Sequence, residues 1–507
     1  MSESRPTAVI VLAAGEGTRM KSAIPKVLHT IGGRSLVGHA LRAARGIGPE
    51  HLVVVVRHER DRVAEHVLEH DPDVLVADQD DVKGTGRAVE CGLEVLPDDL
   101  AGTVVVTYGD VPLLSSQVLH ELVAVHEAGG DAMTIVAATM DDPTGYGRLL
   151  RDETGAVAAV VEQKDATDEQ RAIREVNSGI YAFDATLLRS ALAEVGTDNA
   201  QGEKYLTDVV AVARSRGVTV RAHVVDDLWQ TEGVNDKVQL ARLGGELNRR
   251  TVEAAMRAGA IVIDPATTWI DADVTIGPDT VVHPGTQILG ASTIGSDCVI
   301  GPDTTLRDVE VADGASVVRT QAELAQIGPG ATVGPFSYLR PGTTLGAEGR
   351  IGGFVETKNA QIGDGAKVPH LTYCGDATVG DGANIGAGTI FANYDGLIKT
   401  RTTVGAQSFV GSNSVIVAPR VIGDGAYVAA GSAVTSDVGP GQLAVTRAQQ
   451  RNVDGWVARR RPGTATDEAA RAAIAAGDAS TASEQPSPAT EPDQSEQSGT
   501  HPKDVNG

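Results

Sequence analysis

Two short runs near the N-terminus carry residue types suited to phosphate chemistry. The aliphatic run Ala8–Leu12 leads into Ala13-Ala14-Gly15-Glu16-Gly17-Thr18-Arg19-Met20, and Pro25-Lys26-Val27-Leu28 follows. Small residues and two glycines let backbone N–H groups approach a phosphate closely. Arg19 and Lys26 can neutralise a polyphosphate. Asp110 lies just past another aliphatic run, 104–107 (VVVT), at the position where ligands of open α/β sheets bind. Far downstream, His370 falls between Val368 and Cys374 in a strictly periodic stretch. Each of these is ambiguous alone. An aspartate after a strand is ordinarily a helix cap or turn residue, a lone Asn235 a turn, and an isolated histidine structural.

The elements that would position these residues fall into two regimes. Through about residue 235, the aliphatic runs 8–12, 52–56, 104–107 and 134–137 read as buried parallel strands. Stretches such as 36–44 and 117–126 fit crossover helices, which predicts an α/β, Rossmann-like doubly wound sheet. Leu240, Leu243 and Leu247 then fall at helical spacing, so a linker helix is expected over 238–258.

Beyond it the period becomes six. Ile270, Ile276, Val282, Ile288, Ile294, Ile300 and Leu306 are evenly spaced. The register resumes at Ile327, Val333, Leu339, Leu345 and Ile351, again at Ile362, Val368 and Cys374, then at Val379, Ile385 and Phe391, and finally from Val404 to Val434. No helix of period 3.6 keeps this spacing, whereas a parallel β-helix of hexapeptide repeats does. Two breaks interrupt it: a five-residue step from Cys374 to Val379, and an insertion at 393–403 (NYDGLIKTRTT) that predicts an external loop. The expected domains are therefore 1–237, the linker 238–258, an all-β unit over 259–461, and a polar, disordered tail over 462–507.

Bulk properties narrow the function classes. The chain has 507 residues, 43 Lys and Arg against 67 Asp and Glu, and a formal charge of −24. So acidic a chain repels nucleic acid and anionic membranes as a whole, which predicts neither nucleic-acid binding nor membrane insertion. Cys91, Cys298 and Cys374 are few and scattered, with no CxxC pair, so neither disulfides nor a zinc site is expected and a reducing cytoplasm is the natural setting. The apolar segment 8–14 is short and lacks a basic flank, unlike a signal peptide, and no run approaches the roughly 18 residues of a membrane span.

The ordered series LAAGEGTRM, PKVLH, GTG, YGDVPL, DPTGYGR, VEQKDA, NSGI, NAQGEKYLTD and EGVN resembles the uridylyltransferase half of the bacterial bifunctional N-acetylglucosamine-1-phosphate uridyltransferase/glucosamine-1-phosphate acetyltransferases. LRPGTTL, VETKNA, HLTY, NIGAGTI, NYDG and VGSN resemble the acetyltransferase half, so the likeness covers about residues 5–460. It implies a left-handed β-helix, a homotrimer with acetyl sites between subunits, and Mg²⁺, UTP and acetyl-CoA as cofactor and co-substrates. It also implies an order: acetylation of glucosamine-1-phosphate first, then uridylyl transfer.

Carried over by position, the resemblance implies that Leu12, Ala13, Ala14, Gly15 and Lys26 hold the nucleotide, with Arg19 assisting. Gln79, Gly84 and Thr85 would read the uracil. Tyr108, Gly109, Asp110, Gly147, Glu162, Asn177 and Asn235 would bind the sugar nucleotide, and Asp110 and Asn235 would hold Mg²⁺. One carboxylate, one amide oxygen and phosphates form a plausible hard-oxygen shell. In the second half, His370 would be the general base, a task an imidazole suits at neutral pH. Glu356 would orient it, and the Tyr394 N–H would stabilise an oxyanion. Arg340, Lys358, Tyr373 and Asn384 would bind the sugar phosphate, Asn393 would hydrogen-bond it as well, and Asn393 and Tyr394 would also contact acetyl-CoA. Ala387, Ser412, Ala430 and Arg447 would contact acetyl-CoA. Arg87, where the family commonly has His, and Lys83 are expected to make the uracil-side loop more basic. Cys374 reads as a small core residue. The competing readings are a single-activity sugar-1-phosphate nucleotidyltransferase with a regulatory β-helix, and a non-catalytic assembly protein reusing this architecture.

Overall fold

The structure is a computed structural model that describes residues 5–197 and 201–475. Among them, a mixed sheet of nine strands forms the N-terminal half. Across the sheet lie Val220–Val225, Met133–Thr139, Glu175–Asp184, Thr103–Tyr108, Ala8–Leu12, His51–Val56 and Leu75–Asp78. The four strands expected from the aliphatic runs all point the same way. Glu175–Asp184 runs antiparallel between two of them, and it carries the hairpin Gly147–Arg151 and Val157–Val161 on its edge.

Both sheet faces are buried because the strands are aliphatic at every position. Ile10, Val53, Val55, Val104 and Val106 pack into one core, and Val9, Val11, Leu52, Val54 and Val105 into the other. Helices cover the two faces. Leu36–Arg45 and Ser116–Gly129 are started by Ser35 and Ser115, whose hydroxyls accept from Gly38 N and Val118 N.

A helix over Lys237–Arg257 joins the two halves. Its Leu243 packs with Met20, Ile31, Leu36 and Leu113, while Val252 enters the core of the second half and closes its open end. Asn248 ties helix to solenoid: its Nδ2 donates to Thr268 O (2.8 Å) and its Oδ1 accepts from Ile270 N (2.9 Å).

From Ile261 the chain winds as a parallel β-helix of short strands in two long ladders. Val282 pairs with Ile300, Ile300 with Val317, Val317 with Val333 and Val333 with Ile351, so each coil takes about three hexads. Backbone N–H groups of one coil donate to carbonyls of the next, as Val281 does to Cys298 at 2.8 Å. The period-six aliphatics are the buried core; Ile276, in the first coil, is only partly covered. Cys374 is fully buried, and burial pushes its thiol up to about 12, as a core residue requires. The insertion after Phe391 is a small hairpin, with Tyr394 opposite Lys399 and Thr400 N donating to Asn393 O (2.8 Å).

Residues 5–446 form one compact unit, and the described part of a second begins at Arg447. That second unit corrects the expected disordered tail in part. Residues Ala465–Ala475 are helical, because ATDEAARAAIA is rich in strong helix formers and Arg471 Nε donates to Asp467 Oδ2 one turn away (3.1 Å). The remainder of the expected tail, 476–507, lies outside the described residues. Among the described residues no helix is long and apolar enough to cross a membrane.

Candidate functional sites

The first site opens at the carboxyl ends of Ala8–Leu12 and Thr103–Tyr108. Gly109 N donates to Leu12 O (2.9 Å), clasping the two strand ends together. Gly17 has φ +62°, and a Cβ there would stand 2.5 Å from Lys26 Cβ. Only glycine lets the loop and the lysine segment approach this closely. Between them lies a cavity of about 430 Å³ lined by Leu12, Ala13, Ala14, Gly15, Lys26, Gln79, Gly84, Thr85, Tyr108 and Asp110. The far wall depends on Gly84, at φ +117°, where a Cβ would strike the Lys204 carbonyl at 2.2 Å.

A second cavity of about 270 Å³ shares Thr85 and Tyr108 with the first and adds Glu162, Asn177, Tyr181, Tyr205 and Thr207. Gly147 sits beside Glu162. Burial, aided by Asp165 and Asp208, pushes the Glu162 carboxyl above its ordinary range. Burial likewise raises the Tyr108 phenol, with Asp110 and Glu162 adding to it. Tyr181, Tyr205 and Thr207 were not singled out in the sequence, where nothing but their neighbourhood to NSGI and KYLTD marks them.

Asp110 and Asn235, 125 positions apart in the chain, are brought together by a backbone bond from Val234 N to Asp110 O (2.9 Å). Each is matched with a cation. Lys26 Nζ donates to Asp110 Oδ2, and Arg19 Nη2 to Asn235 Oδ1 at 2.8 Å. The Asp110 carboxylate, which lines the cavity, and the Asn235 amide oxygen, each bonded to a cation, are donors of the type that suits a hard divalent ion carrying phosphates.

The expectation for Arg87 is corrected. Its guanidinium is held by Asp80 (2.8 Å) in the preceding loop and by Glu94 (2.9 Å) and Glu90 (3.2 Å) on its own helix, so it is neutralised locally and does not make the pocket basic. Lys83 does line the cavity.

The second site lies on the β-helix. Arg340 Nη1 donates to Glu356 Oε1 (3.0 Å), and Lys358 follows Arg340 on the next coil. Lys399 on the hairpin reaches Lys358, and this neighbour, followed by Arg340, pulls the Lys358 ammonium below its ordinary range. Three cations thus converge, the arrangement a phosphate dianion requires. Tyr373 lies over Gly375, where a Cβ would stand 2.3 Å from the phenol oxygen, and that oxygen accepts from Asn393 Nδ2 at 3.4 Å. In the hairpin, Asp395 N donates to Ile398 O and Thr400 N to Asn393 O. Tyr394 and Lys399 are therefore a non-hydrogen-bonded pair, and the Tyr394 N–H points out of the ladder, available to a ligand.

His370 ends the strand Lys367–His370. Its carbonyl accepts from Gly388 N (3.1 Å) and Thr372 Oγ1 (2.8 Å); among the described residues its ring makes no hydrogen bond. Register places Glu356 opposite Tyr373 and Gly353 opposite His370, and the Glu356 carboxylate accepts its hydrogen bond from Arg340. Ala387, Ser412 and Ala430 stack at one turn of successive coils beside His370, with Asn413 N donating to Ala387 O (2.7 Å) and Gly431 N to Ser412 O (2.8 Å). Asn384 pairs with Lys367 on the same ladder as His370, apart from Tyr373. Arg447 begins the second compact unit. Lys399 is a contributor beyond the expected set; its fixed distance from Asn393 was the available signal.

Residues 9–177 match the MobA-like NTP transferase domain family, and residues 273–308 match the bacterial transferase hexapeptide family of six repeats. The chain is 60% identical over 468 residues to the bifunctional protein GlmU of Kineococcus radiotolerans, covering 92% of this chain and 95% of that protein. It is 59% identical to that of Pseudarthrobacter chlorophenolicus, covering 92% and 96%, and 56% identical to that of Corynebacterium efficiens, covering 92% and 97%.

Proposed function

The chain belongs to the family of the bifunctional GlmU proteins, and on that premise we infer that it makes UDP-N-acetylglucosamine at two separate sites. It is a transferase that acetylates glucosamine-1-phosphate and then uridylylates the product, supplying a precursor of peptidoglycan and other envelope polymers. The observation supporting this reading is that each half gathers cations suited to a phosphate: Lys26 beside the cavity of the first half with Arg19 nearby, and Arg340, Lys358 and Lys399 together in the second.

In the N-terminal site, the 1-phosphate oxygen of the sugar attacks the α-phosphorus of UTP and pyrophosphate leaves. The nucleophile is already anionic, so no base is required. Leu12–Gly15 hold the triphosphate by backbone contact, Gln79, Gly84 and Thr85 face the base, and Gly109, Gly147, Glu162, Asn177 and Tyr108 enclose the sugar. Lys26 and Arg19 stabilise charge as it shifts to the leaving group. Asp110 and Asn235 would hold Mg²⁺, whose chemistry here is further neutralisation of phosphate charge.

In the C-terminal site, the neutral amine of the sugar attacks the acetyl-CoA thioester, a C–N bond forms and the coenzyme A thiolate leaves. His370 takes the amine proton and the Tyr394 N–H donates to the developing oxyanion. Arg340, Lys358, Tyr373 and Asn393 hold the sugar phosphate, Asn384 assists, and Ala387, Ser412 and Ala430 contact acetyl-CoA. The working form is a cytoplasmic homotrimer, in which neighbouring solenoids complete the sites between them.

The test is incubation with glucosamine-1-phosphate, acetyl-CoA, UTP and Mg²⁺, following both coenzyme A and pyrophosphate. UDP-N-acetylglucosamine should form, and omission of acetyl-CoA should nearly abolish pyrophosphate release. Pyrophosphate release with no coenzyme A release in the complete mixture would support the alternative of a lone nucleotidyltransferase.

A further inference from the structure

Asn359, Asp376 and Asn393 occur on three successive turns of the solenoid, and Asp376 is the middle member. Its Oδ1 accepts from Asn359 Nδ2 at 2.8 Å and its Oδ2 from Asn393 Nδ2 at 2.5 Å. Several turn aspartates of the solenoid accept backbone N–H groups from the preceding coil, as Asp308 does from Ala291 (2.9 Å) and Asp364 from Ala347 (2.7 Å). Asp376 instead joins side chains.

The turn itself does not call for a charge. Asp376 has φ +47°, a conformation that Asp and Asn both tolerate, and Asn359 adopts φ +45° one coil earlier. What distinguishes Asp376 is its electrostatic surroundings. Burial opposes its ionisation, but the Asn359 and Asn393 amides and then the Lys358 and Lys399 ammoniums outweigh that and keep the carboxyl below its ordinary range. The converse holds for Lys358, which Lys399 and Arg340 discharge and Asp376 helps to keep charged. Asn393 is also the base of the hairpin that carries Tyr394 and Lys399.

We propose that Asp376 is a positioning residue of the acetyl-transfer site: it anchors Asn393, and with it the hairpin, and holds the Lys358 and Lys399 ammoniums together to receive the sugar phosphate. The proposal rests on the acetyltransferase reading of the second site.

The experiment compares full-length Asp376→Asn and Asp376→Glu with the unaltered protein. Asp376→Asn keeps the turn but removes the charge. It should raise KM for glucosamine-1-phosphate about tenfold or more, lower kcat less, and leave KM for acetyl-CoA and the uridylyl rate unchanged. The pH at which that KM starts to climb should also fall, because the lysine pair then loses its proton sooner. Asp376→Glu should restore part of the affinity. An unchanged KM and pH profile in Asp376→Asn, or a loss of thermal stability and kcat with KM intact, would overturn the proposal. If Asp376→Asn does not fold, Asn359→Ala replaces it by freeing one carboxylate oxygen: about a threefold rise in the same KM is expected, and no rise overturns the proposal. Absence of acetyl transfer in the unaltered protein is a separate failure, and it overturns the underlying reading as well.

Discussion

The ammonium of Lys26 is hydrogen-bonded to the carboxylate of Asp110. Lys26 comes from the loop after the first strand and Asp110 from the end of another, so one ion pair joins the two segments that enclose the nucleotide cavity. The parallel bond from Arg19 to Asn235 makes the arrangement symmetrical: each oxygen proposed for the metal is matched with a cation proposed for phosphate.

This pairing predicts opposite effects on metal and nucleotide. Lys26→Met should cut uridylyl kcat/KM by roughly a hundredfold or more, as loss of a charge-stabilising group does. It should also strengthen binding of Mn²⁺ alone, read by electron paramagnetic resonance, because the Asp110 carboxylate no longer has its ammonium. Unchanged or weaker Mn²⁺ binding would contradict the competition. Asp110→Ala should abolish uridylyl transfer and spare acetyl transfer.

His370→Ala should lower acetyl transfer by about 10²–10⁴-fold, the usual contribution of a general base. Pyrophosphate release from UTP and N-acetylglucosamine-1-phosphate should be unaffected. Loss of both activities in a protein of unchanged oligomeric state would show that the sites are not independent.

Arg87 is held by the carboxylates of Asp80, Glu90 and Glu94. Arg87→His should therefore change KM for UTP by no more than about threefold, since screened ion pairs at this exposure contribute little. A tenfold rise would place Arg87 in direct contact with the nucleotide.

The alkaline limb of acetyl transfer should reflect Lys358. Its ammonium lies below the ordinary lysine range because of Lys399, and the charged form is the one that binds phosphate. KM for glucosamine-1-phosphate should rise with pH earlier than an ordinary lysine would dictate. In Lys399→Met the limb should move to higher pH, even though affinity at neutral pH falls. A limb moving downward would refute the assignment.

Asn248 is buried between the linker helix and the first coils, where it bonds Thr268 O and Ile270 N. Asn248→Ala leaves both backbone groups without a partner and should cost about 2–6 kcal/mol, each orphaned group contributing about 1–3 kcal/mol. Chemical denaturation of the intact chain measures this. A change under 0.5 kcal/mol, the size of an ordinary surface substitution, would mean that water replaces the amide.

Several elements were legible in the sequence because their signals are local. Aliphatic runs with turn residues after them mark the strands of the first half, and the six-residue spacing from Ile270 admits hardly any structure but a stacked solenoid. The helix over Ala465–Ala475 was missed because its Ala, Ser, Thr, Pro and Glu-rich surroundings hid a short run of good helix formers. The antiparallel strand Glu175–Asp184 was missed because strand direction is set by its neighbours and not by its own residues.

By itself the sequence determined which residue types are available for chemistry and the two patterns that hold them: continuous aliphatic runs in the buried strands and period six in the coils. Only the tertiary structure decided which of them meet. It brought Asn235 to Asp110 through one backbone bond, and it turned Arg87 onto the carboxylates of Asp80, Glu90 and Glu94. It gave the Glu356 carboxylate to Arg340, and it set Asp376 between two asparagines. Those outcomes depend on register between coils and on angles at turns, where a shift of one residue changes every partner. Spacing along the chain carries no record of that choice.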